Sequence, residues 1–334
     1  MPDLSRRTRL LTAAGAAVLL TLAACQGGPD PAARPSPTPS PASSAFPLTV
    51  TNCGVEVTLP APPERVVTIK SAATELVLAL GAGDRLVGTA FADGPVPDQW
   101  AEEGIPVLAE KLPAAEVVLA AEPDLIVAGW ESNLTADGVG ERDHLADLGI
   151  AGYVLPAACQ EPEFQPNPLT FEQVFDQITE VGRILDVPGA AADLVAEQHR
   201  LLETIEPATG DLTALWYSSG SDTPFVGGGI GAPELIMSTA GLTNIEAGID
   251  DTWASVSWEA VAAADPDVIV LVDSTWNTAE HKREVLAGNP VTAALDAVAN
   301  ERYLVVPFPA SEAGVRTAWA AADLAEQLDA LAQG

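Results

Sequence analysis

The stretch Glu116-Val-Val-Leu-Ala-Ala-Glu-Pro-Asp-Leu-Ile-Val127 recurs in the same chain as Glu259-Ala-Val-Ala-Ala-Ala-Asp-Pro-Asp-Val-Ile-Val270. In each copy a short run with a Val/Ala face ends before a proline, Pro123 or Pro266. Proline cannot continue a helix and pushes the residue before it towards extended backbone, so a helix stops there. The apolar runs that follow, Leu125–Val127 and Val268–Val272, are unbroken rather than alternating. That pattern belongs to strands buried on both faces of a parallel sheet. The repeat therefore predicts two related α/β lobes, each with a glutamate at the head of an equivalent helix. Two such lobes imply a working site in the groove between them.

The sequence outside the repeat extends this reading. Thr49–Leu59 reads as a strand pair about a turn at Asn52–Gly54, and Arg65–Lys70 as a buried strand entering a helix, Ser71–Leu80. Arg85–Ala90 is a further strand, and a helix near Val139–Leu148 precedes a strand at Gly152–Leu155. Strands alternating with helices predict a parallel sheet with right-handed crossovers. Leu169–Asp186 carries apolar residues at helical spacing, and Pro188 opens a helix expected to reach Glu206. At about 28 Å that helix is long for a return crossover and suits a strut between lobes. The second lobe opens at Leu212–Tyr217 and closes with a helix around Gly314–Leu331. The expected organisation is an N-terminal lobe over 48–187, an inter-lobe helix over 188–206 and a C-terminal lobe over 207–334.

The N-terminus reads as targeting sequence. Arg6, Arg7 and Arg9 precede the apolar stretch Leu10–Ala24, which is short of the about 20 residues a membrane-spanning helix needs. Residues 1–24 are laid out as a secretory signal. They end in Leu22-Ala23-Ala24-Cys25, which resembles a bacterial lipobox and implies a diacylglyceryl group on Cys25. Ser5-Arg6-Arg7 fits a twin-arginine signal except at Arg9, so the export route stays open. Residues 25–47 are rich in Pro, Ser and Ala and bury too little to offset their ordering entropy. At about 3.1 Å per residue this segment is a tether reaching roughly 60 Å from a membrane.

The formal charge of −32 argues against nucleic acid or an anionic lipid surface as a partner of the folded body. Cys53 and Cys159 are left once Cys25 is lipidated; outside the cytoplasm they either pair or stay as separate buried thiols.

Parallel α/β lobes bind ligands at the carboxyl ends of their strands. Lys70 and Ser71 follow the first strand, Lys111 precedes the first repeat helix, and Trp130 and Glu131 follow Leu125–Val127. Tyr217, Ser218 and Ser219 end the second lobe's opening strand, Trp276 lies past Val268–Asp273, and Phe308 and Arg316 follow the last strand. Aromatic faces with a few cations suit a planar, anionic organic ligand, although ordinary packing accounts for any one tryptophan. Phe225-Val-Gly-Gly-Gly-Ile-Gly-Ala-Pro-Glu234 fits G-x-G-x-x-A, but Tyr217 is too far upstream for the tight strand-to-helix turn of a nucleotide site. It reads as a cleft loop. Neither G-x-S-x-G nor H-E-x-x-H occurs, and His144, His199 and His281 lack metal-ligand spacing. The expectation is a non-catalytic protein without metal or cofactor.

Together the lipobox, the tether, Arg65-Val-Val-Thr-Ile with Thr74-Glu75-Leu76, the repeated Glu-x-Val-x-Ala-x-x-Pro-Asp and the strut resemble one family. It is the solute-binding lipoproteins of ABC importers for cobalamin and ferric siderophores. The resemblance runs from about Leu48 to the C-terminus. It implies the class III fold, two Rossmann-like lobes joined by a long helix, that closes only slightly on its ligand. It also implies that Glu116 and Glu259 dock onto arginines of an ABC permease, which works with its ATPase. As a charge pair per lobe they would fix orientation and speed encounter; each alone is also explained by the helix dipole.

Asp93-Gly-Pro-Val-Pro-Asp98, Ala128-Gly-Trp-Glu-Ser-Asn133, Leu215-Trp-Tyr-Ser-Ser-Gly220, Asp250-Asp-Thr-Trp253 and Val306-Pro-Phe-Pro-Ala-Ser-Glu312 are similar to a narrower subgroup. That subgroup is assigned to import of F-420-0, the deazaflavin precursor of coenzyme F-420. The resemblance adds Trp253 to the ligand-binding candidates. The alternatives are a ferric siderophore or cobalamin on the same fold, a nucleotide-binding α/β enzyme, and a lipoprotein sensor without a permease.

Overall fold

The computed structural model describes residues 45–333. The predicted signal, Cys25 and nearly all of the tether lie outside the described residues. The described chain begins with an antiparallel hairpin, β1 (Leu48–Asn52) and β2 (Val55–Leu59). Cys53 and Gly54 occupy left-handed φ of 46° and 76° in its turn.

The first lobe then runs β3 (Val66–Ile69), α1 (Ser71–Ala79), β4 (Leu86–Ala90), β5 (Val107–Ala109), α2 (Ala115–Leu119), β6 (Leu125–Ala128), α3 (Arg142–Asp147) and β7 (Ala151–Val154). Its strands are all parallel in the order β5-β4-β3-β6-β7. The central strands β3 and β6 are wholly buried, as their unbroken apolar sequence requires. The single polar side chain there, Thr68, hydrogen-bonds with Thr74 at 2.8 Å.

Two helices follow, α4 (Phe171–Ile184) and α5 (Pro188–Leu202). The second lobe contains β8 (Thr213–Ser219), β9 (Phe225–Gly227), α6 (Ala232–Thr239), β10 (Thr243–Asn244), β11 (Trp253–Ser255), α7 (Trp258–Ala264), β12 (Val268–Asp273), α8 (Ala279–Gly288), α9 (Asp296–Ala299), β13 (Tyr303–Pro307) and α10 (Thr317–Gln333). The sheet order is β11-β9-β8-β12-β13, with β10 also on β8.

The two sequence copies occupy equivalent places. β6 pairs in parallel with β3, the opening strand of its sheet, and β12 does the same with β8. The residue before each proline is in the left-handed region, Glu122 at φ 47° and Asp265 at φ 48°. The aspartate after each proline staples the repeat to the opening strand. Asp124 accepts the backbone N–H of Glu64 at 2.8 Å and of Arg65 at 3.0 Å. Asp267 accepts both the backbone N–H and the hydroxyl of Thr213 at 2.8 Å. The Pro-Asp of the motif is thus a joint, which explains why it recurs.

Two expectations need correction. The second sheet is mixed, because β9 is antiparallel to β8 and to β11. After β8 the chain reverses at Gly220, φ 87°, where a Cβ would come within 2.1 Å of Thr223 O. A reversal this tight leaves room only for an antiparallel neighbour. The strut, in turn, is a helical hairpin and its second helix ends at Leu202, short of Glu206. Phe175 near the start of α4 meets His199 near the end of α5, ring centroids 4.4 Å apart. Few residues of α5 are buried, so α4 supplies the apolar face through Val174, Phe175, Ile178, Val181 and Ile184.

The hairpin touches both lobes. Tyr153 Oη donates to Glu180 at 2.7 Å on the first-lobe side, and Gln198 Nε2 donates to Val315 O at 3.0 Å on the other. One hydrophobic cluster runs through both lobes, including Leu76 and Val127 of the first and Trp216 and Leu324 of the second. Two smaller clusters fill the outer faces. A shared apolar core resists relative motion of the lobes, since separating them exposes that area to water.

Cys53 and Cys159 form a disulfide with Cα atoms 5.3 Å apart, 106 residues apart in sequence. Replacing both with serine is expected to cost about 4 kcal/mol, from the loop-closure entropy of a cross-link this long. A denaturant titration reads this as a lower midpoint with a steeper slope, because the uncrosslinked unfolded chain exposes more surface, and thiol titration of the unfolded wild-type body finds neither cysteine free.

Candidate ligand cavity

Loops at the carboxyl ends of β6 and β7 face loops that follow β8, β12 and β13 across a cavity of about 690 Å³. Volumes of this size accommodate small organic ligands. Trp130 and Glu131 come from the end of β6, Ser218 and Ser219 from the end of β8. Phe225 and Trp253 of the adjoining strands β9 and β11 lie nearly parallel, 16° apart, with centroids at 5.9 Å. Trp276 stands edge-on to Phe308 at 5.6 Å. Lys282, buried on α8, holds both ends of the Trp276 loop by donating to Val272 O at 2.5 Å and Asn277 O at 2.7 Å. Burial pushes its ammonium down to about 8.

A strap over 155–169 forms another wall. The disulfide anchors its start to the β1–β2 turn. At its far end Asn167 donates to Asp250 at 2.6 Å and Leu169 N–H to Ile230 O at 2.8 Å, so the strap crosses to the second lobe.

Beneath the aromatic wall lies a buried charge cluster. Lys70, wholly buried, is paired with Asp93. Its ammonium sits over the rings of Trp130 at 3.7 Å, Phe91 at 4.2 Å and Phe308 at 5.1 Å, a cation–π cage. Lys70 itself holds a left-handed φ of 81° at the β3–α1 junction. A Cβ on Gly129 would come within 2.6 Å of the lysine's Cβ, so only glycine lets it pass. Glu75 pairs with Arg316 at 3.1 Å across the lobes, and Glu312 accepts the Trp130 Nε1 proton at 2.6 Å across them too.

Burial pushes Glu75 up to about 7, against the pull of Arg316. Burial also pushes Glu312 up to about 7, against Lys70. An unfolded carboxyl titrates near its ordinary 4.5, so between about 4.5 and 7 the folded chain holds more protons than the unfolded one. These two groups therefore lower stability as pH rises through that window, with no further loss above it. Thermal unfolding from pH 5 to 8 is expected to show the decline, and Glu312→Gln to flatten it.

The structure brings Trp130, Glu131, Ser218, Trp253 and Trp276 to the cavity wall. Lys70 and Arg316 lie outside the wall, each paired with an acid. Lys111 is exposed in the loop before α2. Tyr217 is enclosed in the second lobe, its hydroxyl donating to Gly220 O at 2.8 Å, and burial pushes it up to about 12. The wall residues that strand-end reasoning missed are Phe225, Asp250, Asp251, Glu312 and the strap. The Asp250-Asp251 pair adjoining Trp253 was a legible signal for two of them.

The Gly-rich loop offers no anion cradle. Gly228 and Gly229 amides already donate to Thr252 O and Ile249 O at 2.9 Å, and a Cβ at either would come within 2.2 Å of a carbonyl oxygen. Glu116 and Glu259 are both exposed on the first turns of α2 and α7. Neither enters an ion pair among the described residues.

Known proteins match this architecture. The sequence profile described as periplasmic binding protein matches residues 66–310. A vitamin B12-binding protein of Yersinia pestis (strain Pestoides F) is 29% identical over 226 residues, 64% of this chain and 72% of its own. A solved periplasmic binding protein from Veillonella parvula superposes with a TM-score of 0.74 at 25% identity, covering 84% of this chain and 97% of its own. An ABC-type Fe3+-hydroxamate transport protein from Saccharomonospora viridis gives 0.71 at 29% identity, covering 85% and 99%. With the profile spanning most of the two-lobed body, the chain belongs to the periplasmic binding protein family.

Proposed function

We propose that this protein is the lipid-anchored, extracytoplasmic capture component of an ABC importer, holding a ring-shaped organic solute between its lobes. Membership of the family carries extracytoplasmic solute binding. The observation that supports a ring-shaped solute is the cavity itself, walled by Trp130, Trp253, Trp276, Phe225 and Phe308. Base–aromatic stacking in nucleic-acid complexes is worth about 1–3 kcal/mol per contact; two such contacts are a large share of the roughly 8 kcal/mol of a micromolar complex. Relatives point to cobalamin or a ferric hydroxamate, and the subgroup motifs to F-420-0. Glu116 and Glu259 deliver the closed complex to a permease, and Cys25 carries the anchor.

The test is tryptophan quenching during titration with cyanocobalamin, a ferric trihydroxamate and F-420-0. Saturable binding at micromolar concentration or below by one of them supports the reading. Silence from all three, alongside turnover of a nucleotide, would return the chain to the enzyme class.

A further inference from the structure

The cavity has a charge bias. Four carboxylates line it, Glu131 from the first lobe and Asp250, Asp251 and Glu312 from the second, and no lysine, arginine or histidine among the described residues does. Each acid commits one oxygen to the protein: Glu131 to Gln160 N at 2.6 Å, Asp250 to Asn167 Nδ2 at 2.6 Å, Asp251 to Thr252 N at 2.7 Å and Glu312 to Trp130 Nε1 at 2.6 Å. Among the described residues the second oxygens of Glu131, Asp250 and Asp251 accept no hydrogen bond, and that of Glu312 is buried without a partner. Of the cations that approach the wall, buried Lys70 is paired with Asp93, half-buried Arg316 with Glu75, and buried Lys282 donates to the backbone carbonyls of Val272 and Asn277. The Lys70 ammonium also lies against the rings of Trp130 and Phe308, whose residues form part of the wall.

A cleft of one sign with low-dielectric walls focuses its field on whatever enters. A phosphate or carboxylate placed here loses its hydration and meets no counter-ion, whereas an N–H or O–H donor meets the open carboxylate oxygens of Glu131, Asp250 and Asp251 and the buried Oε2 of Glu312, whose carboxyl burial pushes up to about 7.

Resting on the capture reading above, we infer that the cavity selects an uncharged or cationic solute whose rim carries N–H or O–H donors, and rejects anionic ones. This sets the aromatic walls, which suit a deazaflavin ring, against the phosphodiester and carboxylate of F-420-0. It favours a phosphate-free ring compound, an amide-fringed macrocycle or a cationic ferric hydroxamate.

The test uses the mature chain with Cys25→Ser and two charge pairs. One pair is a ferric trihydroxamate ending in a free ammonium beside the same complex succinylated to a carboxylate. The other is the phosphate-free deazaflavin alcohol beside F-420-0. The uncharged or cationic member is expected to bind at least about tenfold tighter, and Asp250→Asn with Asp251→Asn to narrow that ratio. Equal or tighter binding of the anionic member overturns the inference.

A second readout needs no ligand. Each normalised to its quenching of free tryptophan, caesium is expected to quench Trp253, isolated by difference against Trp253→Phe, more than iodide does, and the double substitution to reduce that preference. A preference unmoved by the substitution overturns the inference. Silence from both solute pairs sinks the ring-solute reading, and the quenching comparison then decides the charge selection alone.

Discussion

Replacing Glu116 and Glu259 together with arginine is expected to abolish solute uptake while the purified protein binds its solute as before. The two carboxylates sit on the first turns of α2 and α7, both exposed and unpaired among the described residues. They lie on the helices that precede β6 and β12, outside the cavity wall. Charge reversal changes no buried contact but sets a cation at each helix N-terminus, so stability should fall by only about 1–2 kcal/mol in all. Under the proposed docking, what it does change is the encounter: a like charge at each lobe would cost several kcal/mol at an interface that takes the opposite sign. Uptake of labelled solute by cells carrying the variant, beside equilibrium binding of the purified chain, checks both halves. Normal uptake would favour a sensor without a permease.

Asp93→Ala is expected to destabilise the protein by about 3–5 kcal/mol, because it strands the wholly buried Lys70 ammonium without a counter-ion. Lys70 is wholly buried and Asp93 is its ion-pair partner. The aromatic cage of Phe91, Trp130 and Phe308 attracts the cation, but each ring contributes only about 0.5–2 kcal/mol, less than a counter-ion. A fall of roughly 10 °C in melting temperature follows from that loss for a chain of this size. Lys70→Met combined with Asp93→Leu should recover much of it, since neither variant side chain then carries a charge. A thermal double-mutant cycle measures the coupling. An Asp93→Ala variant within 1 kcal/mol of wild type would mean that the cage alone holds the lysine.

Much of this molecule is legible in particular residues. The prolines at 123 and 266 with the apolar runs behind them specify helix, stop and buried strand, and the structure forms α2–β6 and α7–β12 there. Trp130, Glu131, Ser218 and Trp276 were visible as strand-end residues because parallel topology alone decides which end of a strand faces a ligand.

What local pattern could not show depends on long-range geometry. β9 and β11 are three residues each, too short for a period, and their antiparallel placement follows from the reversal at Gly220. The strap has no periodicity, yet its disulfide and its contacts to Asp250 and Ile230 make it a wall. Lys70 and Arg316 looked available as cations because their counter-ions, Asp93 and Glu75, are distant in sequence or on another element. Removing them from the ligand inventory leaves the cavity acidic and alters the chemistry it suits.

The claim at the centre of this account is that the solute sits between the lobes against the aromatic pair Phe225 and Trp253. Isothermal titration of wild type and of Trp253→Ala with whichever solute quenches the wild-type tryptophans tests it most directly. The account predicts a loss of about 1–3 kcal/mol, or roughly 5- to 150-fold in affinity, at unchanged stoichiometry. Unchanged affinity would contradict it and put the solute elsewhere on the protein.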